Sequence, residues 1–338
     1  MHLQAKPITP SRRAWQTILH RSVWFCSIAL IAQTQALADT YPSRPITLVA
    51  PFAPGGSGDL VARKLAQALK ETSGATFLVE NRTGAGGIVG NEYVAKAKPD
   101  GYTLLTGSDS LLLGPLTRKS VPFSIKDFIP IARIRVANIY LATNANVPAD
   151  SVPKLVALTQ SKPGEIRYAS GGPATIMHLA GEQFAQKFGL QMTHIPYRGA
   201  GPAITDTAAG QVELAWTGAA EVATFQQSGK VKILGMMGER RSTAFPSVPT
   251  MGELGYSDLT IFSWNGIFAP ANTPPEIVKW LIEKITVATQ SPTFLKNGEV
   301  IEIDLQNVIV GENFGKFLDA QRERYKTIIT KGNIQLQD

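Results

Sequence analysis

The sequence predicts an α/β protein folded as two lobes, each a mainly parallel sheet flanked by helices, with a cleft between them. Three observations carry this. Short apolar strands alternate with amphipathic helices in β-α-β-α-β order, which implies parallel strands joined by right-handed crossovers. The same grammar occurs twice without sequence repetition. Two stretches, 131–148 and 260–274, interrupt it and read as crossings between the lobes. The expected organisation is a leader at 1–38, a discontinuous first lobe at 39–143 plus 264–338, and a second lobe at 144–263.

The elements follow in order. "PITLVAPF" (45–52) is a near-continuous apolar run, as a strand buried on both faces requires. "DLVARKLAQALKE" (59–71) places Leu60, Ala62, Leu65, Ala66 and Leu69 near one helical face. "TFLVEN" is the next strand, "GAGGIVGNEYVAKA" a glycine turn and helix, and "YTLLTGS" a further strand. In the second half "SVPKLVALTQS" reads as helix, "EIRYASG" as strand, "ATIMHLAGEQFAQKFG" as helix and "MTHIPYR" as strand. "GPAITDTAAGQ" is a short helix, "VELAWTG" a strand, 221–228 contains a helix, and "VKILGMMG" is a strand. Two long amphipathic helices close the chain, at 273–292, opened by prolines that suit a first turn, and at 312–334.

The first 38 residues differ from the rest. Lys6, Arg12, Arg13 and Arg21 form a basic region with no acid, "SVWFCSIALIA" is an apolar run too short to span a bilayer, and "ALA" fits a cleavage site before Asp39. This is a secretory signal, with a membrane anchor as the alternative. "SRRAW" resembles a twin-arginine signal except that Trp15 stands where Phe is usual, so export by Sec or Tat is open. The whole chain carries 33 basic and 26 acidic side chains, a formal +7. Cleavage removes the four basic ones and lowers this to +3. No basic patch interleaved with aromatics remains, which argues against nucleic acid as a partner. Cys26, the only cysteine, leaves with the signal, so the mature chain has no disulfide and no thiolate site.

Several chemistries lack their motifs. The first glycine turn has no G-K-[ST] ending, and "GAGGIVG" is one residue off the dinucleotide fingerprint. Gly84, Gly86 and Gly87 are read there as a tight turn with close helix packing. "GGSGD" is not a nucleophile elbow, because Asp59 stands where the second glycine belongs. His178, with Glu182 one turn on, and His194 are the histidines left after cleavage, and no third metal ligand accompanies them. No cofactor and no metal are expected. "FAPGGSGD" is different: Ser57 or Asp59 can cap the helix, and the glycines let a ligand approach backbone N–H groups at its start, a site suited to a carboxylate. "YASGGPATIMHLAG" repeats strand, small-residue loop and helix in the second lobe. Two such loops, one per lobe, can pinch an anion between helix N-termini.

At these residues the sequence resembles the extracytoplasmic receptors of tripartite tricarboxylate transporters, the Bordetella-uptake-gene family. "YPSRPITLVAPFAPGGSGDLVAR", "VENRTGAGGIVGNEYVAKAKPDGYTLL", "YASGGPATIMHLAGEQF", "HIPYRGAGPAITDTAAGQVELAW", "RSTAFPSVPTMGELG" and "SWNGIFAPANTP" match in family order over nearly the whole mature chain. The resemblance implies a periplasmic binding fold of type II kind that closes on a small organic acid, does no catalysis, and serves a pair of membrane permease subunits as a monomer. It implies that Phe52, Ala53, Pro54, Gly55, Gly56 and Asp59 form the turn that holds a ligand carboxylate through backbone amides. In the second lobe the family loop reads S-G-N-G-T. Ser170, Gly171 and Thr175 match it, while Gly172 and Pro173 replace Asn-Gly and Ala174 precedes the threonine. His178 follows in the same helix. After Trp216 an Asp-Asn pair is usual, and this chain has Thr217, Gly218 and Ala219, which leaves room for a bulkier or less polar ligand. In the loop of Gly107, Ser108 and Asp109, the aspartate would repel a carboxylate unless it points away or meets an amine or hydroxyl. Two rival functions remain at this stage: an exported sensor using the same cleft to signal to a membrane kinase, and an exported hydrolase, which would need a nucleophile–base pair.

Overall fold

The computed structural model describes residues 41–296, 302, 308–332 and 334. The expected signal peptide lies outside them. The chain divides into a leading unit, Met1–Ser43, and a body, Arg44–Asp338; the body is described here.

The body contains two sheets. Strands β1 (Ile46–Ala50), β2 (Phe77–Asn81), β3 (Thr103–Ser108), β4 (Phe128–Asn138), β10 (Phe262–Pro270) and β11 (Ile309–Val310) build the first, in the order β11-β4-β10-β3-β1-β2. Strands β5 (Tyr140–Asn144), β6 (Arg167–Ser170), β7 (Thr193–Pro196), β8 (Leu214–Thr217) and β9 (Val231–Met236) build the second, in the order β7-β6-β8-β5-β9. The two-lobed α/β class holds, but the sheets are mixed rather than mainly parallel. β1 runs parallel to β2 and β3, and β6 parallel to β7 and β8, as right-handed crossovers demand. The chain's two crossings add the antiparallel strands: β10 pairs with β3 and β4, and β5 with β8 and β9. The stretches read as linkers are therefore themselves strands. They pass between sheets at buried Ile139, Met237 and Ile261, where Met237 N–H donates to the Ile139 carbonyl and Ile261 N–H to the Met237 carbonyl, both at 2.8 Å.

Helices cover the sheets. In the first lobe these are α1 (Ser57–Ser73), α2 (Ile88–Ala95), α3 (Ser110–Thr117), α8 (Pro275–Thr289), α9 (Pro292–Leu295) and α10 (Gly311–Gly332); in the second, α4 (Val152–Ser161), α5 (Ile176–Phe188), α6 (Ala200–Ala208) and α7 (Ala219–Gln227). α1 buries Val61, Ala62, Leu65, Ala66, Ala68 and Leu69 and ends at left-handed Gly74. α3 was not expected. Its leucines at 111–113 form an all-round apolar run without helical period, and Pro115 lies inside it. It is buried against the first sheet and α10, so packing overrides the weak local signal. The cores are aromatic: Trp264 and Phe268 pack on Phe314 in the first lobe, and Trp216 meets Phe184 edge-on at 5.4 Å in the second.

Candidate functional site

A cavity of about 610 Å³ lies between the C-terminal ends of strands from both sheets. That is the size range of small-molecule sites. From the first lobe it is lined by the β1–α1 turn, the glycine turn before α2, the β3–α3 loop, and Arg135, Ser263 and Asn265. The second lobe supplies Gly171, Pro173, Thr175 and the segments 196–202 and 220–221.

The β1–α1 turn is set from behind. Asp59 is 1% exposed and does not line the cavity. Its Oδ2 accepts Gly55 N–H at 2.9 Å and Arg63 Nε at 2.9 Å, and its Oδ1 accepts Asn81 Nδ2 at 2.7 Å. Asn81 Nδ2 also donates to the Phe52 carbonyl at 3.1 Å, so one carboxylate and one amide hold both ends of the turn. Gly55 takes φ +81, and the bare face of Gly58 lets the Phe52 ring lie across the start of α1. Burial pushes the Asp59 carboxyl up, but the bonds from Arg63, Asn81 and Gly55 outweigh it and hold its pKa below the usual carboxylate value.

The lobes meet around the cavity. Gly86, at φ +66, abuts the Pro173 carbonyl so closely that a Cβ there would overlap it. A Cβ on Gly199 would come 3.2 Å from that of Ala53. Ser57 N–H, in the first turn of α1, donates to Glu221 Oε1 of α7 at 2.7 Å.

The expected site residues divide. Phe52, Ala53, Pro54, Gly55, Gly56, Ser108, Asp109, Gly171, Pro173 and Thr175 line the cavity. Asp59, Gly107, Ser170, Gly172, Ala174, His178, Trp216, Thr217, Gly218 and Ala219 are not among its lining. Gly107 faces the Phe268 ring. Trp216 and Thr217 are fully buried because β8 is covered on both faces, and Ala219 is buried at the start of α7. Ala174 is buried at φ +57, and Gly218 packs on the Glu221 carboxylate. Gly172 meets Gly86 across the cleft mouth. Thr175 caps α5 by accepting from His178 N–H.

Asp109 reaches the cavity wall but its carboxylate is engaged elsewhere. Oδ1 accepts Tyr325 OH at 2.6 Å, and Oδ2 accepts Ser263 Oγ at 2.8 Å and Trp264 N–H at 3.3 Å. Burial pushes its pKa up to about 6 against those donors.

Behind the second-lobe loop, His178 and His194 stack at 3.8 Å, and the Tyr168 ring lies 4.8 Å from His194 and 6.3 Å from His178. Ser170 Oγ lies 2.7 Å from His194 Nε2. This is the nucleophile–base contact a hydrolase needs, yet Ser170 is fully buried and absent from the cavity lining. Burial holds His178 at a pKa of about 3, with His194 adding to the effect, and His194 at about 4.

Sequence reasoning missed four parts of the cavity. Gly84, Gly86 and Gly87, read as a mere turn, line it. So do Arg198, Gly199 and Gly201 in "PYRGAGPA", another strand-to-helix loop of small residues whose grammar was the available signal. Arg135 sits in a strand taken for a linker, and Glu221 in a helix whose contact with α1 joins residues far apart in sequence.

Two α/β lobes closing on a small-molecule cavity make this a periplasmic binding protein by fold. The solved structure of the periplasmic binding protein BugD is 30% identical, with a TM-score of 0.82 over 87% of this chain and 99% of its own. An R. palustris protein solved with adipate is 27% identical, with a TM-score of 0.81 over 87% of this chain and 99% of its own. Among curated relatives, Protein BugT of Bordetella pertussis is 38% identical over 257 residues, 75% of this chain and 79% of its own length. The profile described as tripartite tricarboxylate transporter family receptor, TctC, matches residues 61–334. The chain belongs to that family of solute-binding receptors.

Proposed function

We propose that this receptor captures a small organic acid between its lobes in the periplasm, without catalysis, and delivers it as a monomer to membrane permease subunits of a tripartite transporter. In this reading 1–38 is a cleaved signal and the lobes divide near residues 139, 237 and 261. The observation that carries it is the Phe52–Gly56 turn: its backbone lines the cavity at the start of α1 and is fixed from behind by Asp59 and Asn81. A helix start favours an anion by about 0.3–1 kcal/mol, up to about 2 when partly buried. Micromolar binding needs about 8 kcal/mol net, which hydrogen bonds to the charged group plus contact with the Phe52 and Phe225 rings can supply. The adipate in the R. palustris relative supports an acid as cargo.

The test is a thermal-shift screen of residues 39–338, refolded to remove carried ligand. The panel contains aliphatic di- and tricarboxylates, amino acids and aromatic acids, each with its amide or ester. A ligand at about 100 times its dissociation constant adds about 2.7 kcal/mol of stability. A shift with an acid and none with its neutral analogue supports the reading; silence across the panel overturns it.

A further inference from the structure

Opposite fixed charges line the cavity on opposite lobes. Arg135 projects from β4 of the first lobe, is 2% exposed, and donates from Nη1 to Asn265 Oδ1 at 3.0 Å. Glu221 stands on α7 of the second lobe. Its Oε1 accepts Ser57 N–H, while its Oε2 is buried with no hydrogen-bond donor among the described residues. Two consequences follow. The Ser57 amide is already occupied by a protein carboxylate, so an acid group at the Phe52–Gly56 turn takes its charge partner from Arg135, the buried cation on the wall. A second acid group placed near α7 meets Glu221 and is repelled. Both oxygens of Asp109, also on the wall, already accept hydrogen bonds, from Tyr325, Ser263 and Trp264. Arg198, the other cation on the wall, is exposed at its edge.

We infer that the cavity selects an amino-carboxylate, with its acid group on the Arg135 side and its ammonium or other N–H donor on Glu221, over a di- or tricarboxylate of the same length. This rests on the proposed receptor function and narrows its ligand class. Among the described residues Glu221 has a donor on one of its two oxygens, whereas buried polar groups are ordinarily hydrogen-bonded, and an ammonium supplies donors and the compensating charge together. Burial lowers the pKa of Arg135, and Glu302, Glu221 and Asp109 act against this.

The test uses pairs that differ only in one end group: 4-aminobutanoate against succinate, 5-aminopentanoate against glutarate, and 4-(aminomethyl)benzoate against terephthalate. Each is titrated by calorimetry into refolded wild type and Glu221→Gln. Glutamine keeps an oxygen for Ser57 N–H and replaces the other, with the charge, by an amide NH2 that cannot accept from an ammonium, and a thermal melt confirms that the variant folds. The expected result is at least tenfold preference of wild type for the amino member of a pair, collapsing at least tenfold in E221Q. Equal or tighter binding of the dicarboxylate, or a preference unchanged in E221Q, overturns the inference and leaves the acid receptor standing. If the amino members are silent while acids of the wider panel bind, the inference also falls. If every acid and amino acid is silent, both readings fall.

Discussion

At the scale of single residues, a buried group's partners decide its role more than its proximity to the cavity. Asp59 was expected to touch the ligand; it shapes the turn proposed to do so. Asp59→Ala frees Gly55 N–H and takes one of its two acceptors from the half-buried Asn81 amide, at a cost of about 1–3 kcal/mol in stability. Affinity for the ligand found in the screen should fall at least tenfold, and calorimetry showing no change would detach the turn from binding. The lowered pKa of Asp59 means that its stabilisation is present above the unfolded carboxylate value and is lost as pH falls through the folded one. The histidine pair acts earlier in the same descent. With folded pKa values of about 3 and 4 against 6.5 unfolded, His178 and His194 bind fewer protons folded than unfolded, so stability drops as pH falls below the unfolded value. His178→Leu removes one of these sites, and His178 Nδ1 has no partner to lose. The stability lost between about pH 7 and about pH 4.5 in urea titrations should shrink by about 2–3 kcal/mol. An unchanged loss would mean that His178 protonates freely in the folded protein.

At the scale of elements, the strand–loop–helix units that follow the βαβ rule were legible, and the elements that join the lobes were not. β1 and α1 carry clean apolar patterns. β4 and β10 pair across a crossing and β5 pairs antiparallel with strands that come late in its lobe, and nothing local announces them. The same holds for the cavity: the β1–α1 turn and the second-lobe loop were readable from glycine and small-residue chemistry, whereas Arg135 and Glu221 gain their meaning from a lobe distant in sequence. Gly86 shows the limit most clearly. As a turn glycine it looks replaceable at the cost of left-handed strain, about 1–2 kcal/mol. Its contact with the Pro173 carbonyl gives it a second task, since a Cβ there obstructs the approach of the lobes. Gly86→Ala should therefore keep the fold, lose about 1–2 kcal/mol of unliganded stability, and bind ligand at least tenfold more weakly. Gly74, at φ +74 with nothing within 4 Å of an added Cβ, isolates the strain. Gly74→Ala should lower stability similarly and leave affinity alone. Equal affinities for the two variants would show that Gly86 does not gate closure.

At the scale of the whole molecule, the cavity wall, the returning crossing and the last helix share one buried carboxylate. Asp109 follows β3, Ser263 and Trp264 begin β10, and Tyr325 lies on α10, where Trp264 Nε1 also donates to the Tyr325 hydroxyl at 3.2 Å. α10 thus reaches back to the cavity through a single charged hydrogen bond. Because burial raises the folded pKa of Asp109 to about 6, the folded state binds more protons than the unfolded one between the two pKa values. The contribution of this group to stability is full below the unfolded value and declines as pH rises through about 6. Tyr325→Phe removes the shortest of the three donors without changing the packing of the ring. The carboxylate form then loses a charge-assisted bond of about 1.5–3 kcal/mol, while the neutral acid form loses less, so the folded pKa rises further. The destabilisation measured by urea unfolding should consequently be larger at about pH 8 than at about pH 5, by about 1 kcal/mol or more. Asp109→Asn should abolish that difference, because no charge remains to be stranded. A Tyr325→Phe cost that is the same at both pH values would show that Asp109 does not carry its charge in the folded protein at about pH 8.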